Sequence, residues 1–228
     1  MNQNLIIALI FLAIAVASYL LGSINFAIIF TWAFKKKDIR DYGSGNAGLT
    51  NVVRSTGKLP ALLTLIFDLT KCFTSILLGY VLIKNISWFG CDRIIDPIYG
   101  KYIAGFFCFL GHIFPIYYRF RGGKGVLTLL AVGLACNIKI SIICLSIFIL
   151  IFIIGRIVSI ASVIAVFSVP FAVAVFPSNY ITEGQFLIPQ HTFEIIMLSL
   201  FSIIIILKHI PNMKRLAKGE EKRLSFNK

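Results

Sequence analysis

The first 34 residues of the chain carry no charged side chain, and residues 5–34 form one apolar run. At about 1.5 Å per residue, a helix over this run is longer than a hydrocarbon core of about 30 Å. The helix is therefore tilted, or its far end lies inside protein, and the polar patch Gly22, Ser23 and Asn25 favours the second arrangement. A cleavable signal peptide is the alternative, but residues 1–4 are uncharged and the apolar run is too long.

Six further apolar runs follow, at about 59–83, 99–118, 126–136, 138–154, 157–177 and 191–207. Hydrophobic residues make up 58% of the 228 residues and charged residues 14%, which indicates an integral membrane protein. We therefore predict an all-α, polytopic protein with about seven transmembrane helices in a single domain over residues 1–228. The run 126–136 is too short to be assigned as an independent crossing, and with 138–154 it fits one bent, hairpin-like unit.

The lysines and arginines are unevenly placed between these runs. Seventeen of the 22 fall on one side of a seven-span arrangement, in residues 35–58, 119–124, 156 and 208–228. The opposite side holds four, and Lys71 lies within a span. By the positive-inside rule the rich side is cytosolic, so the N-terminus is predicted outside and the C-terminus inside. Cations placed between apolar spans argue against a nucleic-acid partner.

Two charged residues interrupt the run 59–83. Asp68 and Lys71 are three residues apart, so one face of a helix can pair them. Charges within a membrane are costly and often functional. We favour a structural ion pair near the cytosolic end, with a functional role as the alternative.

Residues 43–58 read GSGNAGLTNVVRSTGK. Gly43, Gly45 and Gly48 match G-x-G-x-x-G, but a dinucleotide site requires a preceding strand, and a membrane helix precedes this loop. The pattern predicts a loop that leads into a helix N-terminus, which is a natural oxyanion site, with Arg54 in the helix. A flexible connector is the alternative.

Residues 111–128 read GHIFPIYYRFRGGKGVLT. Three cations here favour an anion, and the three glycines around Lys124 let backbone N–H groups approach it closely. Anchoring to anionic lipid is the alternative, although an anchor has no use for the glycines. His112 is either a catalytic base or a structural hydrogen-bonding residue, and we favour the structural role.

Residues 208–224 read KHIPNMKRLAKGEEKRL. His209, Asn212 and Arg215 recur every three residues, so a helical turn brings them close together. Pro211 is typical of the first turn of a short helix. A basic cytosolic tail without further function is the alternative.

The three segments resemble the signature motifs of the bacterial acyl-phosphate:glycerol-3-phosphate acyltransferase family. The matches are Gly-Ser-Gly-Asn-x-Gly-x-Thr-Asn from Gly43, Gly-His-x-Phe-Pro from Gly111 with Phe-Arg-Gly-Gly-Lys-Gly-Val from Phe120, and His209, Asn212, Arg215, Gly219 and Glu221. The resemblance covers nearly the whole chain, including VSIAS at 158–162. One departure is HIPN at 209–212, where the family usually has a charged pair between His and Asn.

The resemblance implies a fold and an activity. The fold is a seven-helix bundle in the bacterial inner membrane, with the motif loops clustered at the cytosolic face. The activity is transfer of a fatty acyl group from acyl phosphate to the sn-1 hydroxyl of glycerol 3-phosphate. The products are lysophosphatidic acid and phosphate, in the first acylation step of phospholipid biosynthesis. A transporter or channel for a small anion is the alternative, but transporters place their sites near the midplane of repeated helices, and this sequence has no internal repeat.

The resemblance also implies site residues. Ser44, Arg54 and Lys124 are expected to be catalytic. The expected substrate-binding residues are Gly43, Gly45, Asn46, Gly48, Thr50, Asn51, His112, Arg121, Gly122, Gly123, Gly125, Ser159, Ser162, His209, Asn212, Arg215 and Glu221.

The expected roles divide between the two substrates. Ser44, Arg54 and nearby backbone amides hold the acyl phosphate, and Lys124 bridges the two phosphates as a point charge. The phosphate of glycerol 3-phosphate is expected at His209 and Asn212, with Ser159 or Ser162. Arg215 and Glu221 fix the tail.

An acyl phosphate is already activated, so positioning and charge stabilisation suffice for catalysis. The sequence has no G-x-S-x-G elbow, and no His is followed by Asp five positions on, the pairing of acyltransferases that use acyl-CoA or acyl carrier protein. We expect a substrate phosphate oxygen to accept the proton. No cofactor or metal is expected, and the five cysteines predict no disulfide framework. The expected partners are acyl phosphate, glycerol 3-phosphate, membrane lipid and the enzyme that supplies acyl phosphate.

Overall fold

The computed structural model describes residues 2–178, 188–221 and 223, and every regular element within them is helical. The α-helices in these residues are α1 Gln3–Ser23, α2 Phe26–Lys35, α3 Leu49–Ser55, α4 Lys58–Lys84, α5 Pro97–Ile113, α6 Val126–Cys136, α7 Ile138–Gly155, α8 Val158–Phe167, α9 Val169–Val175 and α10 Gln190–Ala217. Short 3-10 helices lie at Ile39–Asp41, Ile86–Phe89 and Ile116–Tyr118. The all-α prediction is confirmed. Residues 222 and 224–228 of the predicted basic tail lie outside the described residues.

Five stretches of the described chain are long and apolar enough to cross a membrane: Gln3–Lys35, Lys58–Lys84, Ile138–Gly155, Val158–Val175 and Gln190–Ala217. Large apolar side chains point outward from them, and Ile154 is 76% exposed, as expected of a surface that contacts lipid. Helices α5 and α6 are shorter, with 17 and 11 residues. The count of seven crossings and the orientation of the termini stay predictions.

The uncharged first run consists of two helices with a break between them. Helix α1 ends at Ser23, and Asn25 caps α2 by accepting a hydrogen bond from the Ile28 N–H at 3.1 Å. The break leaves the Ile24 carbonyl without a helical partner, and the Lys71 ammonium of α4 donates to it at 2.6 Å. Ser23 and Asn25 are fully buried. The polar patch therefore lies inside protein as expected, but the far end of the run does not, because Trp32 is 58% and Phe34 49% exposed.

Helix α5 lies at the centre of the bundle and packs against α1, α4, α6 and α10. Its Tyr99, Tyr102 and Phe109 are completely buried. Helix α1 approaches α5 so closely that a Cβ at Gly22 would lie 2.1 Å from the Cys108 carbonyl oxygen. This close packing fixes the end of α5 that leads into the segment 111–128.

A buried carboxylate ties the bundle together far from the motif segments. Glu194, in the first turns of α10, accepts hydrogen bonds from Tyr102 Oη at 2.7 Å, Asn137 Nδ2 at 2.9 Å and Ser178 Oγ at 2.7 Å. Asn137 is the single residue between α6 and α7, and it caps α7 through the Ile140 N–H. These bonds hold the α6–α7 turn against α10, in keeping with the predicted hairpin-like unit.

The prediction that Pro211 begins a short separate helix is wrong. Pro211 lies inside α10, which continues to Ala217. A proline in a helix interior removes one backbone hydrogen bond and crowds the preceding turn, and such helices persist where packing compensates. His209 and Asn212, on either side of Pro211, are both buried, and this packing compensates for the lost backbone hydrogen bond.

Candidate active site

Residues from all three polar segments and from α8 line one cavity of about 300 Å³. Of the predicted site residues, those that line it are Ser44, Asn46, Gly48, Thr50, Asn51, Arg54, His112, Lys124, Gly125, Ser159, Ser162, His209, Asn212 and Glu221. The predicted residues that are not among its lining are Gly43, Gly45, Arg121, Gly122, Gly123 and Arg215. The structure therefore brings the three segments together at one cavity.

Asn51 shapes the first loop. Its Nδ2 lies within hydrogen-bonding distance of the backbone oxygens of Ile39, Tyr42 and Asn46, at 3.1, 2.9 and 3.1 Å. Its Oδ1 accepts from the Ser44 N–H at 3.2 Å. Gly43 has a φ of +56° and passes so close that a Cβ there would lie 2.2 Å from Asn51 Oδ1. The side-chain amide of Asn51 therefore makes its hydrogen bonds within the protein. The loop leads into the N-terminus of α3, as predicted.

The segment 119–125 folds back onto the end of α5. The N–H of Gly122 donates to the Ile113 carbonyl at 3.2 Å, and the N–H of Gly123 donates to the His112 carbonyl at 3.1 Å. A Cβ at Gly122 would lie 2.0 Å from that His112 oxygen. Arg121 remains exposed, whereas Lys124 lines the cavity. The glycines therefore let the backbone of this segment pack closely against the end of α5, and this packing directs Lys124 into the cavity.

Lys124 is the cation at the centre of the site. Its Nζ donates a hydrogen bond to Asn212 Oδ1 of α10. Burial lowers the pKa of Lys124 to about 8, Glu221 opposes this effect, and the positive charges of Arg215 and Arg54 add to it. Burial also lowers the pKa of the Arg54 guanidinium. Two cations in a partly dehydrated cavity form a strong site for anions.

Glu221 connects α8, α10 and the tail. Its carboxylate accepts hydrogen bonds from Ser159 Oγ at 2.8 Å, Asn212 Nδ2 at 2.7 Å and Arg215 Nε at 3.0 Å. Burial disfavours the charged form, but these hydrogen bonds outweigh it and lower the pKa of Glu221. The expected role of Arg215 and Glu221 in fixing the tail agrees with this network. Both ends of the Asn212 amide are occupied, by Lys124 and by Glu221.

His209 presents one ring nitrogen to the cavity. Its Nδ1 lies 2.8 Å from the Ile205 carbonyl oxygen, which only accepts, so Nδ1 carries the proton. In the neutral imidazole, Nε2 is then an acceptor. Such a nitrogen suits a hydroxyl better than a phosphate dianion, which has no proton to donate.

Sequence analysis missed some residues that hold the site together. The guanidinium of Arg40, paired with Asp38 at 2.6 Å, donates to the Tyr118 carbonyl at 2.8 Å and so joins the first two segments. Asn25 Nδ2 donates to the Ala47 carbonyl at 3.2 Å. The charged pair at 38 and 40 is visible in the sequence, but its partner is distant in the chain.

The cavity continues from these polar groups into an apolar half. Helices α6, α7, α8, α9 and α10 supply its walls, with Leu129, Gly133, Ile140, Ser141, Cys144, Leu145, Phe148, Val166, Val169 and Leu198 among the lining residues. Gly133 lies nine residues beyond Lys124, which is about 13 Å along a helix. One cavity therefore offers two cations at one end and a long apolar wall at the other.

The chain is similar to proteins of known class over nearly its whole length. Residues 12–219 match the family model described as glycerol-3-phosphate acyltransferase. A glycerol-3-phosphate acyltransferase of Bartonella quintana is 38% identical over 215 residues, covering 93% of this chain and 90% of that protein. The crystal structure of PlsY (YgiH), an integral membrane glycerol 3-phosphate acyltransferase, in its glycerol 3-phosphate form matches with a TM-score of 0.75 at 30% identity, covering 94% and 96% of the two chains. Its lysophosphatidic acid form matches with a TM-score of 0.71 at 29% identity, covering 94% and 95%.

Proposed function

The chain belongs to the glycerol-3-phosphate acyltransferase family of integral membrane proteins, and from this premise we propose that its acyl donor is acyl phosphate. The reaction moves the fatty acyl group to the sn-1 hydroxyl of glycerol 3-phosphate and releases phosphate and lysophosphatidic acid, as the first acylation step of phospholipid biosynthesis. The glycerol 3-phosphate and lysophosphatidic acid forms of the PlsY structures support this acceptor and this product.

The observation that carries the proposal is the two-ended cavity. Arg54 and Lys124 lie at its polar end, and the apolar wall runs past Leu129 to Gly133. A donor with a phosphate at the reacting carbonyl and a long hydrocarbon tail matches both ends at once. The cations compensate the phosphates, and the apolar wall binds the acyl chain at about 0.8 kcal/mol per buried methylene.

The donor's phosphate is assigned to the loop side of the cavity. Arg54 and the Ser44 hydroxyl contact it, and Lys124 lies between this phosphate and the acceptor's. Asn212 directs the Lys124 ammonium, because it accepts a hydrogen bond from it. A compact ammonium on a flexible stem suits a position between two phosphates.

The acceptor is assigned to the side formed by α8 and α10. Ser159 already donates to Glu221, whereas Ser162 donates to no described residue, so Ser162 is the serine that binds the phosphate of glycerol 3-phosphate. His209 Nε2 accepts a hydrogen bond from a glycerol hydroxyl and orients it. This refines the expected phosphate role of His209 and Asn212.

The chemical step needs no acyl-enzyme. The hydroxyl oxygen attacks the carbonyl carbon and forms the ester bond, and the bond between that carbon and the phosphate oxygen breaks. The phosphate leaves with the electron pair, and a phosphate oxygen takes the hydroxyl proton. Lys124 and Arg54 stabilise the charge that develops, which is the main contribution of such a site.

The proposal also includes the membrane in which the protein lies and its orientation there. We propose that the site and the C-terminus lie in the cytosol and the N-terminus outside a bacterial inner membrane, which the excess of lysine and arginine on one side supports. The chain acts as one domain, and the enzyme that supplies acyl phosphate is its expected partner.

The direct test uses purified protein in detergent with palmitoyl phosphate and glycerol 3-phosphate. We expect lysophosphatidic acid and phosphate in equal amounts. Lys124→Met serves as the control for background reaction. Absence of product would refute the proposed reaction, and it is also the result expected of a transporter, which needs a sealed membrane.

A further inference from the structure

A buried charge pair lies directly beneath the two glycine-containing loops. Lys71 Nζ and Asp68 Oδ1 of α4 are 2.7 Å apart, and both side chains are about 95% buried. The predicted pairing is thus confirmed, but the contacts extend further. The Lys71 ammonium also lies 3.3 Å from Nδ1 of His112, which lines the cavity. The pair therefore acts on a residue of the site.

The contact between Lys71 and His112 fixes the tautomer of the imidazole. An ammonium has three donors and no acceptor, so His112 Nδ1 must accept the hydrogen bond. Asp68 Oδ1 is 3.9 Å from the same nitrogen, beyond hydrogen-bonding distance. In a neutral imidazole with an occupied Nδ1, the proton resides on Nε2. His112 is thereby a donor at Nε2, and its one ring lone pair, on Nδ1, is engaged by Lys71 and does not act as a base.

His112 Nε2 lies where the first two polar segments meet. A Cβ at Gly123 would lie 2.2 Å from Nε2 and 3.0 Å from the Ala47 carbonyl oxygen, so all three groups are adjacent. His112 is only 5% exposed. Among the residues that the structure describes, none accepts a hydrogen bond from Nε2. His112 lines the cavity, so an oxygen of a ligand bound there can accept this hydrogen bond.

We propose that His112 donates its Nε2–H to an oxygen of the acyl phosphate, and that Asp68 and Lys71 are positioning residues that hold the imidazole in this tautomer. The inference rests on the proposed function. Both substrates carry anionic oxygens, but Nε2 lies beside Gly123 and Ala47, and Ala47 belongs to the loop 43–48, to which the donor is assigned. No bond is made or broken at His112. Its hydrogen bond strengthens as negative charge develops on the donor.

Two substitutions separate a donor at Nε2 from a structural imidazole. The amide nitrogen of His112→Gln can reach the position of Nε2, whereas the shorter side chain of His112→Asn reaches only the position of Nδ1. We expect His112→Asn to lose about tenfold to hundredfold in kcat/KM for acyl phosphate, the cost of one hydrogen bond to a charged group, with KM for glycerol 3-phosphate unchanged. His112→Gln should recover most of the loss. The matched control is His191→Asn. His191 lies in the first turn of α10 and is not among the residues that line the cavity, so this variant should have the wild-type rate.

Equal rates for the Asn and Gln variants would overturn the donor role, provided that both unfold in detergent at the wild-type temperature. A rise in KM for glycerol 3-phosphate alone would also overturn it, because the donated hydrogen bond would then belong to the acceptor. The wild-type reaction is measured first. No turnover of acyl phosphate would refute the proposed function, whereas normal turnover with an unaffected His112→Asn variant would refute this inference alone.

A double-mutant cycle tests the positioning role. Asp68→Asn and Lys71→Met are made together, because Lys71→Met alone would leave a buried carboxylate unpaired. If the pair acts through His112, adding His112→Asn to this background should cause little further loss, since the oriented donor is already missing. Losses that multiply across the cycle would show that Asp68 and Lys71 act on the reaction independently of His112, and would overturn the proposal.

Discussion

The ammonium of Lys124 should set the alkaline limit of activity. Burial lowers its pKa from 10.5 to about 8, which corresponds to about 3 kcal/mol of destabilisation of the charged form in the free site. Because the ammonium is the form that compensates phosphate charge, the active fraction of free enzyme decreases as pH rises through about 8. We therefore expect kcat/KM to be constant near pH 7 and to fall about tenfold per pH unit well above pH 8.

The bound complex should behave differently. Two phosphates beside Lys124 favour its charged form and raise its pKa, so kcat should decline only at higher pH. The second phosphate pKa lies near 6, so the substrates titrate little over the range from pH 7 to 9.5. The assay is formation of lysophosphatidic acid from palmitoyl phosphate and labelled glycerol 3-phosphate, with spontaneous donor hydrolysis subtracted at each pH.

Lys124→Arg identifies the titrating group. A guanidinium keeps its charge throughout this range, so the alkaline decline of kcat/KM should disappear. The variant should nevertheless be slow at pH 7, because a planar fork cannot replace a compact ammonium between two anions. A decline with the same midpoint in this variant would refute the assignment, as would a wild-type kcat/KM that does not change up to pH 9.5.

Three further substitutions test the acceptor side, the tail and the apolar wall. His209→Ala should weaken use of glycerol 3-phosphate more than use of acyl phosphate, and equal effects on both KM values would count against the assigned contact. Glu221→Ala removes three hydrogen bonds and should lower kcat/KM about tenfold and the unfolding temperature, whereas the exposed neighbour Glu220→Ala should change neither. A Cβ at Gly133 would lie 2.3 Å from Ser141 Oγ, so Gly133→Val should narrow the apolar half. If the variant loses room for two methylenes at about 0.8 kcal/mol each, its kcat/KM for palmitoyl phosphate should fall about tenfold relative to that for dodecanoyl phosphate. An unchanged ratio of the two kcat/KM values would show that this wall does not bind the acyl chain.

The sequence was sufficient for the features that depend on local composition. Apolar runs predicted the helices, and the spacing of Asp68 and Lys71 predicted their ion pair, because residues three apart share a helical face. Fourteen of the twenty expected site residues line one cavity. This set was expected from the resemblance of the three motifs to the family, and the structure places each motif near the end of a helix.

The features that the sequence did not reveal depend on partners distant in the chain. Lys71 satisfies the carbonyl left free at Ile24, 47 residues away, and no local pattern encodes that contact. Gly123 is required by the imidazole of His112, not only by an anion. Pro211 was expected to begin a helix, because local preference does not include the packing that keeps α10 continuous through it.

The choice of acyl donor tests the central claim most directly. Initial rates are compared for palmitoyl phosphate and palmitoyl-CoA at equal concentrations, with glycerol 3-phosphate saturating and inorganic phosphate as an added inhibitor. A thioester brings no phosphate to the reacting carbonyl, so Arg54 and Lys124 would face an empty anion position and the hydroxyl would lack its proton acceptor. We predict turnover with palmitoyl phosphate, essentially none with palmitoyl-CoA, and phosphate inhibition that is competitive with the acyl phosphate. Equal rates with the two donors would contradict the account, because the anion at Lys124 would then not be the donor's phosphate.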